Sequence, residues 1–376
     1  MSDTYTWNPF NNTNNQLNID IEMLKIEVGK LFPFYDMKYN TDNAAFYCRI
    51  DIESLDEKFN LLRISLSEKE YIPMIRFEQG EHVIYIIKKP KIKKKPIWIN
   101  YLLLIATIFT TTLAGSILWV EIDQANLMDI ISLNYLLSGF IFFSIPLLLI
   151  LGIHEMGHYY ISKKHNLDTS LPYFIPLPPP FILGTFGAII STREPIPDRK
   201  TLLDVGVAGP LCGFFVAIPV CIIGLFLMQQ NPVVLTVTGN EINIMYPLLL
   251  QGFSNFFTIP SNAIMHPTLF AGWVGLFLTA INLLPVGQLD GGHIARALLK
   301  DKHKYASWVV IIAIMAAGMF NTGFLFLAFI ILLLIGTQHQ PPLNELTPLD
   351  TKRKMIGILA LIVFAICFAP FPFSTT

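Results

Sequence analysis

The sequence is short of charge: 14% of its 376 residues are Asp, Glu, Lys or Arg, against about 25% in an ordinary soluble domain. Hydrophobic residues make up 53%, and mean hydropathy is +0.53. That balance disfavours a disordered chain and an ordinary soluble enzyme. The net charge of −1 provides no whole-chain basic field, so no nucleic-acid partner is expected. Cysteine is scarce. Cys48, Cys212, Cys221 and Cys367 form no close pair and no CxxC, which excludes a disulfide scaffold and a zinc knuckle. The opening twenty residues are polar and read as neither a signal peptide nor an Arg-rich transit peptide.

What is present divides the chain in two. Residues 1–96 carry fourteen of the twenty-six Lys and Arg and no long apolar run. Here the pattern predicts helices at 20–32 and 54–67 and a strand at 44–50. A hairpin of strands at 74–77 and 82–87 turns at Gln79-Gly80. This is a small α+β domain near the minimum size to fold alone, followed by a Lys-rich linker. Residues 97–376 hold recurrent apolar stretches, and a span needs roughly 20 residues to cross about 30 Å of hydrocarbon. Spans are expected near 97–120, 132–160, 202–228, 267–298, 305–319, 321–337 and 354–371. The chain thus reads as a polytopic α-helical membrane protein of about seven transmembrane helices with a small N-terminal α+β domain.

Orientation follows from the basic residues. Lys88, Lys89, Lys91, Lys93, Lys94 and Lys95 stand before the first span and hold the N-terminus in the cytoplasm. No Lys or Arg falls between Lys200 and Arg296, as one excursion out and back explains. Splitting 305–337 into a tight hairpin at Phe320-Asn321-Thr322-Gly323 keeps Lys352, Arg353 and Lys354 inside. The lysine run also suits anionic headgroups.

Within the second span stands His154-Glu155-Met156-Gly157-His158. Positions i and i+4 share a helix face, so two imidazoles can grip one metal, and Glu155 can take a proton from a water on it. Three ionisable groups in an apolar segment are expensive unless they meet a polar cavity or a metal. Catalytic zinc takes three protein ligands and keeps one position for water, so another span must supply the third. Asp204 is one candidate, at the mouth of span three, where it reads more simply as a solvated acid. Asp290 is the better one. It lies in Asn282-Leu283-Leu284-Pro285-Val286-Gly287-Gln288-Leu289-Asp290-Gly291-Gly292-His293, where Pro285 and Gly287 interrupt helical bonding and free backbone carbonyls. Spacing alone leaves His293 open as a ligand. On this topology both His154/His158 and Asp290 lie toward the inner ends of their spans.

These motifs resemble the site-2 protease family of intramembrane zinc metalloproteases, whose pattern of HExxH plus NxxPxxxxDG is matched without a substitution. Two further segments are similar to members of the plant-chloroplast and archaeal branch. One is Gly184-Thr185-Phe186-Gly187-Ala188-Ile189-Ile190 followed by Pro197-Asp198-Arg199-Lys200; the other is Ala208-Gly209-Pro210 with Gly213. The resemblance covers 130–300, and loop 229–266 is too short for the PDZ domain of larger members. It implies one zinc ion on His154, His158 and Asp290, with Glu155 as general base and then general acid. Asn282 would help position the substrate or the oxyanion. The extended run over 184–192, with Gly184, Thr185, Phe186 and Gly187, offers an edge that an unwound substrate strand can pair with. The implied activity is hydrolysis of peptide bonds within or next to transmembrane segments of membrane-protein substrates, in the bilayer of a prokaryotic cell membrane, with the active site toward the cytoplasm.

Other classes remain open on the sequence. An ion transporter or channel would use the same His/Glu/Asp set as an ion path, but no repeat relates the two halves. A catalytically silent metal-binding scaffold would keep the site without turnover. A membrane zinc protease with a Glu as third ligand would have to draw on Glu194, Glu241 or Glu345, all placed in loops.

Overall fold

The computed structural model describes residues 19–90, 95–233, 242–260, 263–320, 322–369 and 373–375. The polar opening residues 1–18, the lysines at 91, 93 and 94, Glu241 and the hairpin residue Asn321 lie outside them. The chain forms two compact units.

The first unit comprises Met1–Lys94 with two later segments, Pro195–Arg199 and Gln340–Leu349. Its elements run α1 (Ile21–Gly29), β1 (Phe34–Tyr39), β2 (Asn43–Cys48), α2 (Leu55–Glu68), β3 (Tyr71–Glu78) and β4 (Glu81–Lys88). Asp20 caps α1 by accepting from the Met23 N–H, the role short acids take at a helix start. The antiparallel sheet has the order β1-β2-β4-β3, so the unit is two successive helix-hairpin modules joined along β2 and β4. Leu24 and Val28 of α1 and Leu55, Phe59, Leu62 and Leu66 of α2 pack with Phe46, Ile75, Ile84 and Ile86 of the sheet. The Gln79-Gly80 turn has positive φ at both residues, as a two-residue hairpin requires. Strand β1 was not expected from the sequence.

Nor was the completion of the β3 edge. The Ile75 N–H donates to the Leu343 carbonyl at 2.9 Å, and Arg76 Nη1 donates to the same oxygen at 3.0 Å. Asn344 bridges both Ile75 and Asp198 in parallel. Thr347 donates to Asp56 of α2 at 2.8 Å. The domain therefore extends beyond a simple 1–96 segment.

The second unit comprises Lys95–Glu194, Lys200–His339 and Asp350–Thr376. It runs α3 (Trp98–Ile122), α4 (Leu133–Gly139), α5 (Ile145–Lys164), β5 (Tyr173–Pro176), β6 (Thr185–Ile189), α6 (Arg199–Gln230), β7 (Ile242–Ile244), α7 (Leu248–Ser254), α8 (Pro267–Asn282), α9 (Asp290–Leu299), α10 (His303–Ala317), α11 (Thr322–Ile330), α12 (Thr351–Cys367) and β8 (Phe373–Thr375). Among the described residues, three helices are long and apolar enough to cross a membrane: Trp98–Ile122, Leu133–Lys164 (α4 and α5 together) and Arg199–Gln230. Large apolar side chains on this unit face outward, among them Ile105 (65% exposed), Phe215 (62%) and Val309 (66%). Such a surface is a liability in water and suits lipid.

Two features of the helices trace to prolines. Wide π-type turns at Phe140–Ser144 join α4 to α5. Pro146 follows, and with no N–H it cannot donate to the Phe142 carbonyl four residues back. The Thr268 hydroxyl donates to that carbonyl instead, at 2.7 Å, tying α8 to the helix that carries HEMGH. The second feature corrects the sequence reading. The expected span 267–298 is not continuous: α8 ends at Asn282, residues 283–289 form a tight turn, and α9 begins at Asp290. Pro285 and Gly287 are the cause, and the Ser307 hydroxyl takes up the freed Pro285 carbonyl at 2.9 Å. α10 ends at Ala317 and α11 begins at Thr322, two separate helices as a split of 305–337 at 320–323 expects.

Candidate metal centre

The HEMGH segment lies in the third and fourth turns of α5, so His154 and His158 stand one turn apart on one face. Their Nε2 atoms are 3.2 Å apart. The turn at 283–289 reverses the chain and delivers Asp290, the first residue of α9, against both. Its Oδ2 is 3.3 Å from His154 Nε2 and its Oδ1 is 3.3 Å from His158 Nε2. His154 is 7% exposed and Glu155 is 9% exposed, so these polar groups sit out of contact with bulk lipid or bulk water.

Hydrogen bonds around the cluster decide which atoms are donors. The Nδ1–H of His158 donates to the Val205 carbonyl of α6 at 2.9 Å, which leaves Nε2 with its lone pair in the neutral ring. The side-chain amide of Asn282, the last residue of α8, donates toward His154 Nε2 at 3.4 Å, so that nitrogen also presents a lone pair. Two imidazole lone pairs and a carboxylate converge, and three acceptors at this range repel unless a cation lies among them. The set therefore fits one metal ion, and two nitrogens with one carboxylate oxygen suit zinc. The His158–Val205 bond is the outer-shell restraint that metal-ligating histidines usually have.

Helix α6 makes the floor of the site. A Cβ on Gly209 would fall 2.0 Å from His158 Nε2, so the imidazole fills the volume that any other residue would claim. This gives a physical reason for glycine in the Ala208-Gly209-Pro210 segment.

Other predicted residues fall as follows. Asp204 is not with the cluster: Arg353 Nε donates to its Oδ1 at 2.8 Å and Nη2 to its Oδ2 at 2.6 Å, and His165 Nε2 lies 3.0 Å from Oδ2. It is an ion-pair partner and not the solvated acid the sequence suggested. His293 turns away, with Nδ1 donating to the Leu289 carbonyl at 3.0 Å and its ring edge-on to His339 at 4.5 Å. His303 and His339 are buried, at 4% and 9% exposure. Gly184 precedes β6, and its carbonyl accepts from the Thr110 hydroxyl of α3 at 2.6 Å. Thr185 is buried, donating to the Ile175 carbonyl and accepting from the Gly187 N–H, so its side chain builds the hairpin. Phe186, 65% exposed, projects outward. β6 pairs with β5 in a two-stranded sheet, and Asn100 of α3 donates to the Leu171 and Pro172 carbonyls just before it. Val205 and Arg353 were missed in the sequence, the first because a backbone carbonyl carries no residue-type signal.

An HExxH pair closed by a carboxylate from a second helix, among helices of membrane length, defines a membrane protein with a zinc-metallopeptidase type of centre. Residues 142–317 match the family model described as Peptidase family M50. That match lies over the part of the chain whose motifs resemble the site-2 proteases. It is similar to "Probable zinc metalloprotease EGY1, chloroplastic" of Arabidopsis thaliana, 32% identical over 247 residues, 62% of this chain and 44% of that protein. The EGY1 protein of Oryza sativa subsp. japonica is 30% identical over 58% of this chain and 38% of its own length. The Arabidopsis thaliana protein "Probable zinc metalloprotease EGY2, chloroplastic" is 28% identical, over 61% and 41%. The chain thus spans less than half the length of each of these relatives.

Proposed function

We propose that this protein is an intramembrane zinc metalloprotease that hydrolyses peptide bonds within or next to transmembrane segments of membrane-protein substrates. The observation that carries the reading is the convergence of His154, His158 and Asp290 on one point, with Glu155 beside His154, inside the stretch that matches the Peptidase family M50 model. Bound zinc would supply a water of lowered pKa, near 7, and stabilise negative charge on the scissile carbonyl oxygen. Glu155 takes the proton as the water oxygen bonds to the carbonyl carbon, and returns it to the nitrogen as the C–N bond breaks. Asn282 donates toward His154 and, from that position, orients either the ring or the substrate oxygen.

Access to the scissile bond is the harder problem, because a transmembrane helix shields its peptides by internal hydrogen bonds. The β5–β6 hairpin supports a role in receiving an unwound substrate strand, with Phe186 at its exposed face. The proposed topology has about seven spans in a prokaryotic cell membrane, the N-terminal domain and the metal centre toward the cytoplasm, and 97–376, apart from 195–199 and 340–349, as the protease domain. The lysines before α3 and the absence of Lys and Arg between Lys200 and Arg296 support that orientation.

The test is the full chain in liposomes with a tagged membrane peptide as substrate. Glu155→Gln is expected to retain zinc and to lose turnover by about 100- to 10,000-fold, the usual weight of a general base. Full turnover in that variant would remove Glu155 from its role. A zinc-loaded wild type without turnover on any fragment found by membrane proteomics would favour a silent scaffold.

A further inference from the structure

The second unit contains a half-buried ion-pair cluster that the proposed mechanism does not use. It lies one residue along α6 from the carbonyl that holds His158. Asp204, whose side chain is 18% exposed, meets Arg353 in α12 through two hydrogen bonds, at 2.8 and 2.6 Å. It also meets His165, the C-cap of the HEMGH helix, at 3.0 Å. Asp350 pairs with Arg353 from the other side. Thr201, one turn earlier on α6, lies 3.2 Å from the second ring nitrogen of His165. Next to Asp204 is Val205, whose carbonyl accepts the His158 Nδ1–H at 2.9 Å.

We propose that Arg353 is a positioning residue for the metal centre: by clamping Asp204 it fixes the start of α6, and so the Val205 carbonyl that sets the tautomer and ring plane of His158. This rests on the metal-centre reading above. The geometry favours it over a generic staple for three reasons. The guanidinium meets both carboxylate oxygens, a paired arrangement that fixes direction as well as distance. The clamped residue is covalently adjacent to the one that restrains the ligand. The α5–α6 pair also meets through polar contacts at His165–Asp204 and, one turn of α5 and more away, at His158–Val205, so a shift of α6 at the first bears directly on the second. Loss of outer-shell partners of metal-binding histidines costs about 10- to 100-fold in metal affinity. A residue one step further out is expected at the low end of that range.

The experiment uses the full chain in detergent micelles, with zinc affinity measured by chelator competition and the ligand field read from the visible absorption of the cobalt(II)-loaded protein. Arg353→Gln and Asp204→Asn are each expected to weaken zinc by about ten-fold and to alter the cobalt bands. Arg353→Lys keeps the charge without the two-nitrogen grip and should fall between these variants and the wild type. Lys352→Gln, a neighbouring charge change, and Thr268→Val, a lost interhelical bond elsewhere, should leave both readouts unmoved. If Arg353→Gln does not fold, the cobalt spectra of Arg353→Lys and Asp204→Asn decide. Wild-type zinc affinity and an unchanged spectrum in the folded variants would overturn the proposal, as would equal shifts in Thr268→Val. A wild type that binds no zinc would overturn the metal-centre reading instead.

Discussion

Gly209 and His158 compete for one volume: a Cβ on the glycine would lie 2.0 Å from Nε2 of the histidine. No rotation of a methyl group relieves such an overlap, because the Cβ position is fixed by the backbone, so Gly209→Ala must displace the imidazole or the helix. The expected outcome is a protein that reaches the membrane but has lost most of its zinc, measured by metal analysis of purified material. At Gly213 the corresponding approach to His154 is 3.2 Å, and Gly213→Ala should keep a larger share of the metal. Equal zinc in Gly209→Ala and wild type would show that the ring does not need this space.

Asp290 supplies the carboxylate of the donor set. Asp290→Ala is expected to weaken zinc by more than roughly 100-fold, beyond the cost of losing an outer-shell partner. Chelator competition measures this directly. Unchanged metal content would assign the third ligand to another residue.

The Thr268 hydroxyl and Pro146 form a matched pair, since the first donates to the Phe142 carbonyl that the second cannot serve. Thr268→Val should lower stability by about 0.5–1.5 kcal/mol, the net value of one such bond, read by thermal unfolding in detergent. In a Pro146→Ala background the carbonyl regains an N–H donor, and the same substitution should cost less. Equal costs in both backgrounds would break the link.

In the N-terminal unit, Glu27 of α1 accepts from Ser65 of α2 at 2.6 Å and pairs with Lys30 and Lys69. Lys30 first, then Lys69 and the serine hydroxyl, hold its carboxyl down from 4.5 to about 2. A depressed carboxyl stabilises the fold above its unfolded value and loses that contribution as pH falls from about 4.5 through about 2. Glu27→Gln should therefore destabilise the unit at pH 7 by about 1 kcal/mol, given partly exposed partners, and the gap should shrink as pH falls from about 4.5 toward about 2. Urea titration of the full chain, followed by limited proteolysis of this unit, reads the difference; a gap as large at pH 2 as at pH 7 would contradict it.

What the sequence disclosed follows from range. HEMGH is legible because five adjacent residues carry its chemistry, and Asp290 because Pro285 and Gly287 mark a break where polar groups collect. The break itself was underestimated. Residues 283–289 are apolar enough to pass for membrane, and hydropathy does not register that their backbone has left the helix. β1 was missed because it is a short edge strand whose Tyr35 and Tyr39 stay exposed, so the alternation over 35–39 marks no buried face. Arg353 read as one more basic residue fixing orientation, and Asp204 as a solvated acid, because their pairing spans 149 positions and no local pattern encodes it. The Val205 carbonyl has no signature at all, since every residue owns one.

The β3 edge is finished by Leu343, whose carbonyl meets Arg76 across 267 positions of chain. During synthesis, translated from the N-terminus, that edge must wait open while every long apolar helix is made. An unpaired strand of this kind is a template for mispairing. A ribosome stalled before residue 343 would therefore hold a first domain whose sheet is still missing its last neighbour, and cells short of holding chaperones should accumulate this protein as aggregates seeded at its very first-made part.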